Sequence, residues 1–140
     1  MIPAFPNDYM VIDSSAILAI LLNEPEAAAF AQAIALDSTR LLSAVSALEA
    51  AIVIASKKGP LGEKELDLLL YKAKIDVVPF NNEMVQKARN AFSRFGKGRH
   101  PAGLNLGDCC SYALARQANE PLLFKGADFS QTDVQAAKLL

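Results

Sequence analysis

One histidine and two adjacent cysteines leave this chain without the usual material for a zinc site or a disulfide framework. Cys109 and Cys110 are neighbours, where an ordinary disulfide is sterically poor, and on an apolar helix they read as core. No uninterrupted apolar run is long enough to span a bilayer. Met1 to Asp13 has neither the basic start nor the long apolar stretch of a secretory leader, so the chain reads as cytoplasmic. The common glycine-rich loops that cradle nucleotides are absent, and Ser14 and Ser15 lack the glycine-flanked elbow of a hydrolase nucleophile. A net charge of −1 excludes a broad polyanion-coating role but permits a local basic patch. With no repeats, low-complexity tails or linker, the 140 residues are expected to form one domain, 1–140, with a proper core.

What is present is apolar. Hydrophobic residues make up 52% of the chain against 21% charged, enough to reserve some surface for a partner. Tyr9 to Ile12 is a short buried-strand pattern ending at Asp13, after which Ser14 or Ser15 can cap a helix through Leu22. A helix over Glu26–Leu36 and a strand over Arg40–Ser43 follow. A third helix spans about Val45–Lys57 and stops at Gly59-Pro60. Glu63–Lys74 has leucines at helical spacing, Ile75–Phe80 reads as strand, and Asn81 or Asn82 can cap a helix through Phe95. Beyond a Gly/Pro loop at 96–103, helix is predicted over Gly107–Ala118 and strand over Pro121–Phe124, with a fifth, edge strand at Val134–Leu139. Strands alternating with helices predict a parallel α/β sheet covered on both faces. Ligands of such sheets sit beyond the carboxyl ends of the strands, at the topological switch point.

Four acids stand alone among apolar or small residues: Asp13, Glu49, Asp108 and Asp128. An isolated buried acid is costly unless its charge is compensated, and a shared hard divalent cation compensates several at once. Each also has an ordinary explanation. Asp13 and Asp108 stand where aspartate caps helices, and Asp128 sits in a turn-like segment. Ser46-Ala-Leu-Glu49 has the spacing of a capping box; if Ser43 caps instead, Glu49 is interior with no base to pair along its helix. Asp133 is a further, outer member. In the loop, Lys97, Arg99 and His100 either form a solvated connection or contact phosphate, a contact that weakens with salt.

Val11-Ile12-Asp13-Ser14-Ser15-Ala16, Ser46-Ala-Leu-Glu49, Leu104-Asn105-Leu106-Gly107-Asp108-Cys109 and the segment from Pro121 to Asp133 together resemble the PIN-domain nucleases, specifically VapC-type toxins of bacterial toxin–antitoxin pairs. The likeness runs over essentially the whole chain. It implies a parallel sheet of order 3-2-1-4-5 flanked by helices. It also implies that Asp13, Glu49, Asp108 and Asp128 bind Mg²⁺ or Mn²⁺, and that the Ser15 hydroxyl hydrogen-bonds within the site. Such proteins usually form homodimers held inactive by a small VapB-type antitoxin whose tail lies in an apolar groove. The expected reaction is hydrolysis of an RNA phosphodiester by metal-activated water, with Asp13 and Asp108 as first ligands, Glu49 positioning water and Asp128 helping a second ion or a bridging water. Leu18, Ile20, Leu21 and Leu22 exceed what one helix face needs, which suits either a partner helix in a groove or burial between neighbours. Two rivals remain at this stage. One is a phosphoacceptor receiver using Lys125, which lacks the second acid beside Asp13 that such a site needs; the other is a PIN-like RNA-binding module that does not cleave.

Overall fold

The computed structural model describes residues 9–139. Residues 1–8, part of the segment read for a leader, lie outside it. Strand β1 (Tyr9–Ile12) is the centre of the sheet because three of its four side chains, Met10, Val11 and Ile12, are buried. Met10 and Ile12 point to one face and Val11 to the other, the two-residue alternation of a strand. Helices α1 (Ser14–Leu21), α2 (Ala27–Leu36) and α3 (Ala44–Lys72) pack Ile17, Phe30, Ile34 and Ile54 onto the first face. Helices α4 (Asn82–Phe95) and α5 (Leu106–Ala118) pack Met84, Phe95, Cys109 and Tyr112 onto the second. Asn81, of the two asparagines, caps α4 by accepting from the Met84 N–H at 3.0 Å.

Strands β2 (Thr39–Ser43), β3 (Ile75–Val78) and β4 (Leu122–Leu123) complete a fully parallel sheet of order β3-β2-β1-β4. The switch point therefore falls between β1 and β4. The fifth strand expected at Val134–Leu139 is not formed. Its place is marked by one bridge, Leu122 to Ala136, with hydrogen bonds from Leu122 N to Gln135 O and from Ala137 N to Leu122 O. Gln135-Ala136-Ala137-Lys138 has weak strand propensity, and a two-residue β4 offers it little edge to follow.

The helix expected to stop at Gly59-Pro60 does stop there: the helical backbone breaks at Gly59 and a second helix follows, so α3 is two helices joined at a kink. Gly59 sits at φ 63°, ψ −153°, a conformation reserved for glycine, and Pro60 opens the second half. The Lys58 amino group closes the bend on the Leu21 carbonyl at 3.0 Å. Gly59→Ala is expected to destabilise the fold by about 1–3 kcal/mol, read as a lowered denaturant midpoint with unchanged slope.

Candidate active site

Asp13 is the first residue past β1, and its N–H donates to the Leu123 carbonyl of β4 at 2.9 Å. The sheet therefore sets it at the switch point, buried to 3% exposure. Its carboxylate does cap α1, a job the sequence offered equally to Ser14 or Ser15: Oδ2 accepts from Ser15 N at 3.0 Å. The other oxygen, Oδ1, accepts from the Ser111 hydroxyl of α5 at 2.5 Å.

Ser43, not Ser46, caps α3, accepting from Val45 N at 3.2 Å. Glu49 is thereby interior to the helix and half-buried, and its Oε1 accepts from Ser14 Oγ at 2.6 Å. Both of its carboxylate oxygens lie against Gly107, where a side-chain carbon would stand 2.5 Å from Oε1 and 2.6 Å from Oε2. Helix α5 starts at Leu106, one residue earlier than expected. Its cap is Asn105, and Asp108 closes a reciprocal box: Asp108 N donates to Asn105 Oδ1 at 2.9 Å and Asn105 N to Asp108 Oδ2 at 3.1 Å. Asp128 is exposed on the segment leaving β4, opening a 3-10 turn at Phe129–Gln131 without capping it.

Electrostatics ties the four together. Burial pushes the Asp108 carboxyl up to about 6, and the charges on Asp13, Asp128 and Glu49 add to the rise against the opposing Asn105 N–H. Among the described residues no ion pair reaches any of the four. Nor do three or more His, Cys, Asp or Glu side chains there close to the spacing of a finished metal cage. The acids are thus near enough to disturb one another yet not in chelating contact. Like charges repel, and each inner carboxylate is held by its own neutral donors. The donor set is all oxygen and strongly negative, which suits a hard divalent cation such as Mg²⁺ or Mn²⁺ rather than zinc.

Residues 10–135 match the PIN domain family model. The chain is 52% identical over 127 residues to Ribonuclease VapC of Mycolicibacterium smegmatis, covering 91% of this chain and 98% of that protein. It is 48% identical over 130 residues to Ribonuclease VapC30 of Mycobacterium tuberculosis, covering 93% and 99%. The chain belongs to the VapC branch of the PIN-domain family. Its fold is shared with M. tuberculosis VapC20, described as a Sarcin-Ricin loop cleaving toxin, at TM-score 0.77, 12% identity and coverage of 94% and 99%. It is also shared with a toxin–antitoxin complex from Klebsiella pneumoniae, at TM-score 0.69, 14% identity and coverage of 89% and 92%.

Asp133 stands apart from the four acids. It accepts from the Tyr112 hydroxyl and pairs with Arg94 at 3.1 Å. Burial alone would raise its carboxyl, but Tyr112 and Arg94 outweigh that and hold it below the ordinary range, so it is a tie between the tail and α4–α5. Ser15 Oγ accepts from Lys125 N at 3.0 Å, holding the segment that leads to Asp128. The Lys125 amino group reaches Glu24 at 3.0 Å and Glu26 at 3.3 Å, away from the acids. That orientation and the family assignment together remove the receiver reading.

In the 96–103 loop, His100 is half-buried, accepts from Ala102 N at 3.0 Å and meets Phe95 edge-on at 5.1 Å. Both contacts help to shape the loop. Lys97 and Arg99 are exposed, Arg99 lying over the Phe92 ring at 5.4 Å. Cys109 and Cys110 are buried free thiols pushed by burial to about 11, inert core residues as expected. Leu18, Ile20, Leu21 and Leu22 pack half-buried against the first core. Ile20 also lines a groove of about 390 Å³ with Ile34, Leu69, Arg40, Lys72 and Lys74. No described helix is long and apolar enough to cross a membrane.

Ser14, Ser46, Ser111, Asn105 and Gly107 shape the site without having been singled out for it. A signal was present for two of them. Ser46 lies three residues before Glu49 and Ser111 three after Asp108, the spacing that puts both members of a pair on one helix face.

Proposed function

We propose that this PIN domain is a Mg²⁺- or Mn²⁺-dependent endoribonuclease toxin, restrained in the cytoplasm by a VapB-type antitoxin. The observation that carries the reading is four carboxylates at the switch point with no compensating base among the described residues, one of them raised to about 6 by burial and its neighbours. A bound Mg²⁺ or Mn²⁺ supplies Lewis-acid charge at the phosphate and a water of lowered pKa. Asp13 and Asp108 would be its direct ligands, each carboxylate being fixed by a backbone N–H. Glu49, gripped by Ser14, would position the water, and Asp128 would help a second ion or a bridging water. Lys97 and Arg99, exposed just before the Asn105 cap, hold the RNA backbone, with His100 shaping their loop.

The relatives named as ribonucleases and the fold shared with a toxin–antitoxin complex support the toxin reading. The groove at Ile20, Ile34 and Leu69, with Arg40, Lys72 and Lys74 around it, suits an amphipathic antitoxin helix carrying acidic residues. Leu48 and Ile52, 61% and 58% exposed one turn apart on α3, supply an apolar face for a homodimer.

Incubation with total RNA tests the enzyme. Cleavage is expected with Mg²⁺ or Mn²⁺, lost on adding EDTA and restored by excess metal. RNA that is bound yet stays intact in both metals would establish a non-cleaving module instead.

A further inference from the structure

Three elements carry the inner acids: the end of β1, α3 and α5. Two buried hydroxyls join them. Ser111 Oγ lies 2.5 Å from Asp13 Oδ1, and Ser46 Oγ lies 3.0 Å from Ser111 Oγ. Ser46 and Ser111 are fully buried, at 0% exposure. An ionised carboxylate only accepts, so the single hydroxyl hydrogen of Ser111 is committed to Asp13. The contact between the serines must then run the other way, with Ser46 donating to Ser111. The result is a one-way chain, Ser46 to Ser111 to Asp13, in a setting of low dielectric where each bond polarises the next.

Packing alone does not call for these hydroxyls. Ser111 lies in a run of buried residues from Cys109 to Ala115, where a hydroxyl left without a partner is costly. We propose that Ser111 is a positioning residue for Asp13, and that Ser46 acts through it, fixing the carboxylate rotamer in which Asp13 meets the divalent ion. Ser15 N holds Oδ2 while Ser111 holds Oδ1, so the carboxylate is gripped from both sides. Each oxygen keeps a further lone pair for a cation. The inference rests on the metal-dependent reading above.

The test is Mn²⁺ affinity, measured by calorimetry on the full chain alongside metal-free melting temperature. Ser111→Ala is expected to weaken Mn²⁺ binding by about 10- to 100-fold, as loss of an outer-shell partner does. Ser46→Ala is expected to cost less, and the double variant no more than Ser111→Ala alone. Unchanged Mn²⁺ affinity in Ser111→Ala overturns the role of Ser111, and additive losses overturn the action of Ser46 through it. If Ser111→Ala fails to fold, Ser46→Ala with unaltered Mn²⁺ affinity overturns the chain. A parent protein that binds no Mn²⁺ defeats the metal reading itself, a result distinct from a parent that binds and variants that bind equally.

Discussion

Replacing Asp108 with asparagine is expected to abolish RNA cleavage and, in the same protein, to raise the stability of the metal-free fold at pH 7. Because Asp108 is a proposed direct ligand, the loss of activity should exceed the roughly 100-fold effect of an outer-shell change. The gain has a separate origin. The folded carboxyl titrates near 6 against an ordinary 3.8, so between those values the folded state holds more protons than the unfolded chain. Stability from this group is therefore full below about pH 4 and is lost as pH rises through 6. Asparagine removes the charge but keeps an oxygen to accept from Asn105 N, so the cap survives. The site is partly open to solvent, which trims the gain to about 1 kcal/mol, or roughly 3 °C in Tm. Melting curves in EDTA should nearly coincide at pH 4 and separate by pH 7, and added Mg²⁺ should favour the parent. A variant less stable than the parent throughout that range would show that Asp108 carries no such burden.

Gly107→Ala should separate activity from stability in another way. The added carbon would stand 2.5 Å from Glu49 Oε1 and 2.8 Å from its Cδ. Those atoms end a flexible side chain, so Glu49 can swing away and the backbone need not move. The helix itself gains up to about 1 kcal/mol from alanine in place of glycine. Melting temperature is thus expected to hold or rise while turnover drops by about 100-fold, because Glu49 leaves Ser14 and the site. Turnover near the parent level would mean that Glu49 is not needed where it stands.

The sequence carried local information well and distant information poorly. Asp13 was legible because an apolar strand ends there, and the interior place of Glu49 followed once Ser43 was weighed as the cap. The sheet and its switch point came from alternation of strands and helices, and the PIN motifs agreed. The Ser111–Asp13 bond joins positions 98 residues apart, and no periodicity encodes it. Asp133 looked like its acidic neighbours, yet Arg94 and Tyr112, far off in the chain, had already claimed it. The absent fifth strand was a failure of degree: the tail does run beside β4, but with side chains too small and polar to extend the ladder.

Gly59 divides the labour of α3. The half before it bears Glu49, whereas the half after it sends Leu68, Leu69 and Lys72 to the grooves beside α1 and α2. Because the helical backbone is interrupted at Gly59, the two halves are separate rods, and a substitution on the groove side can leave the placement of Glu49 untouched.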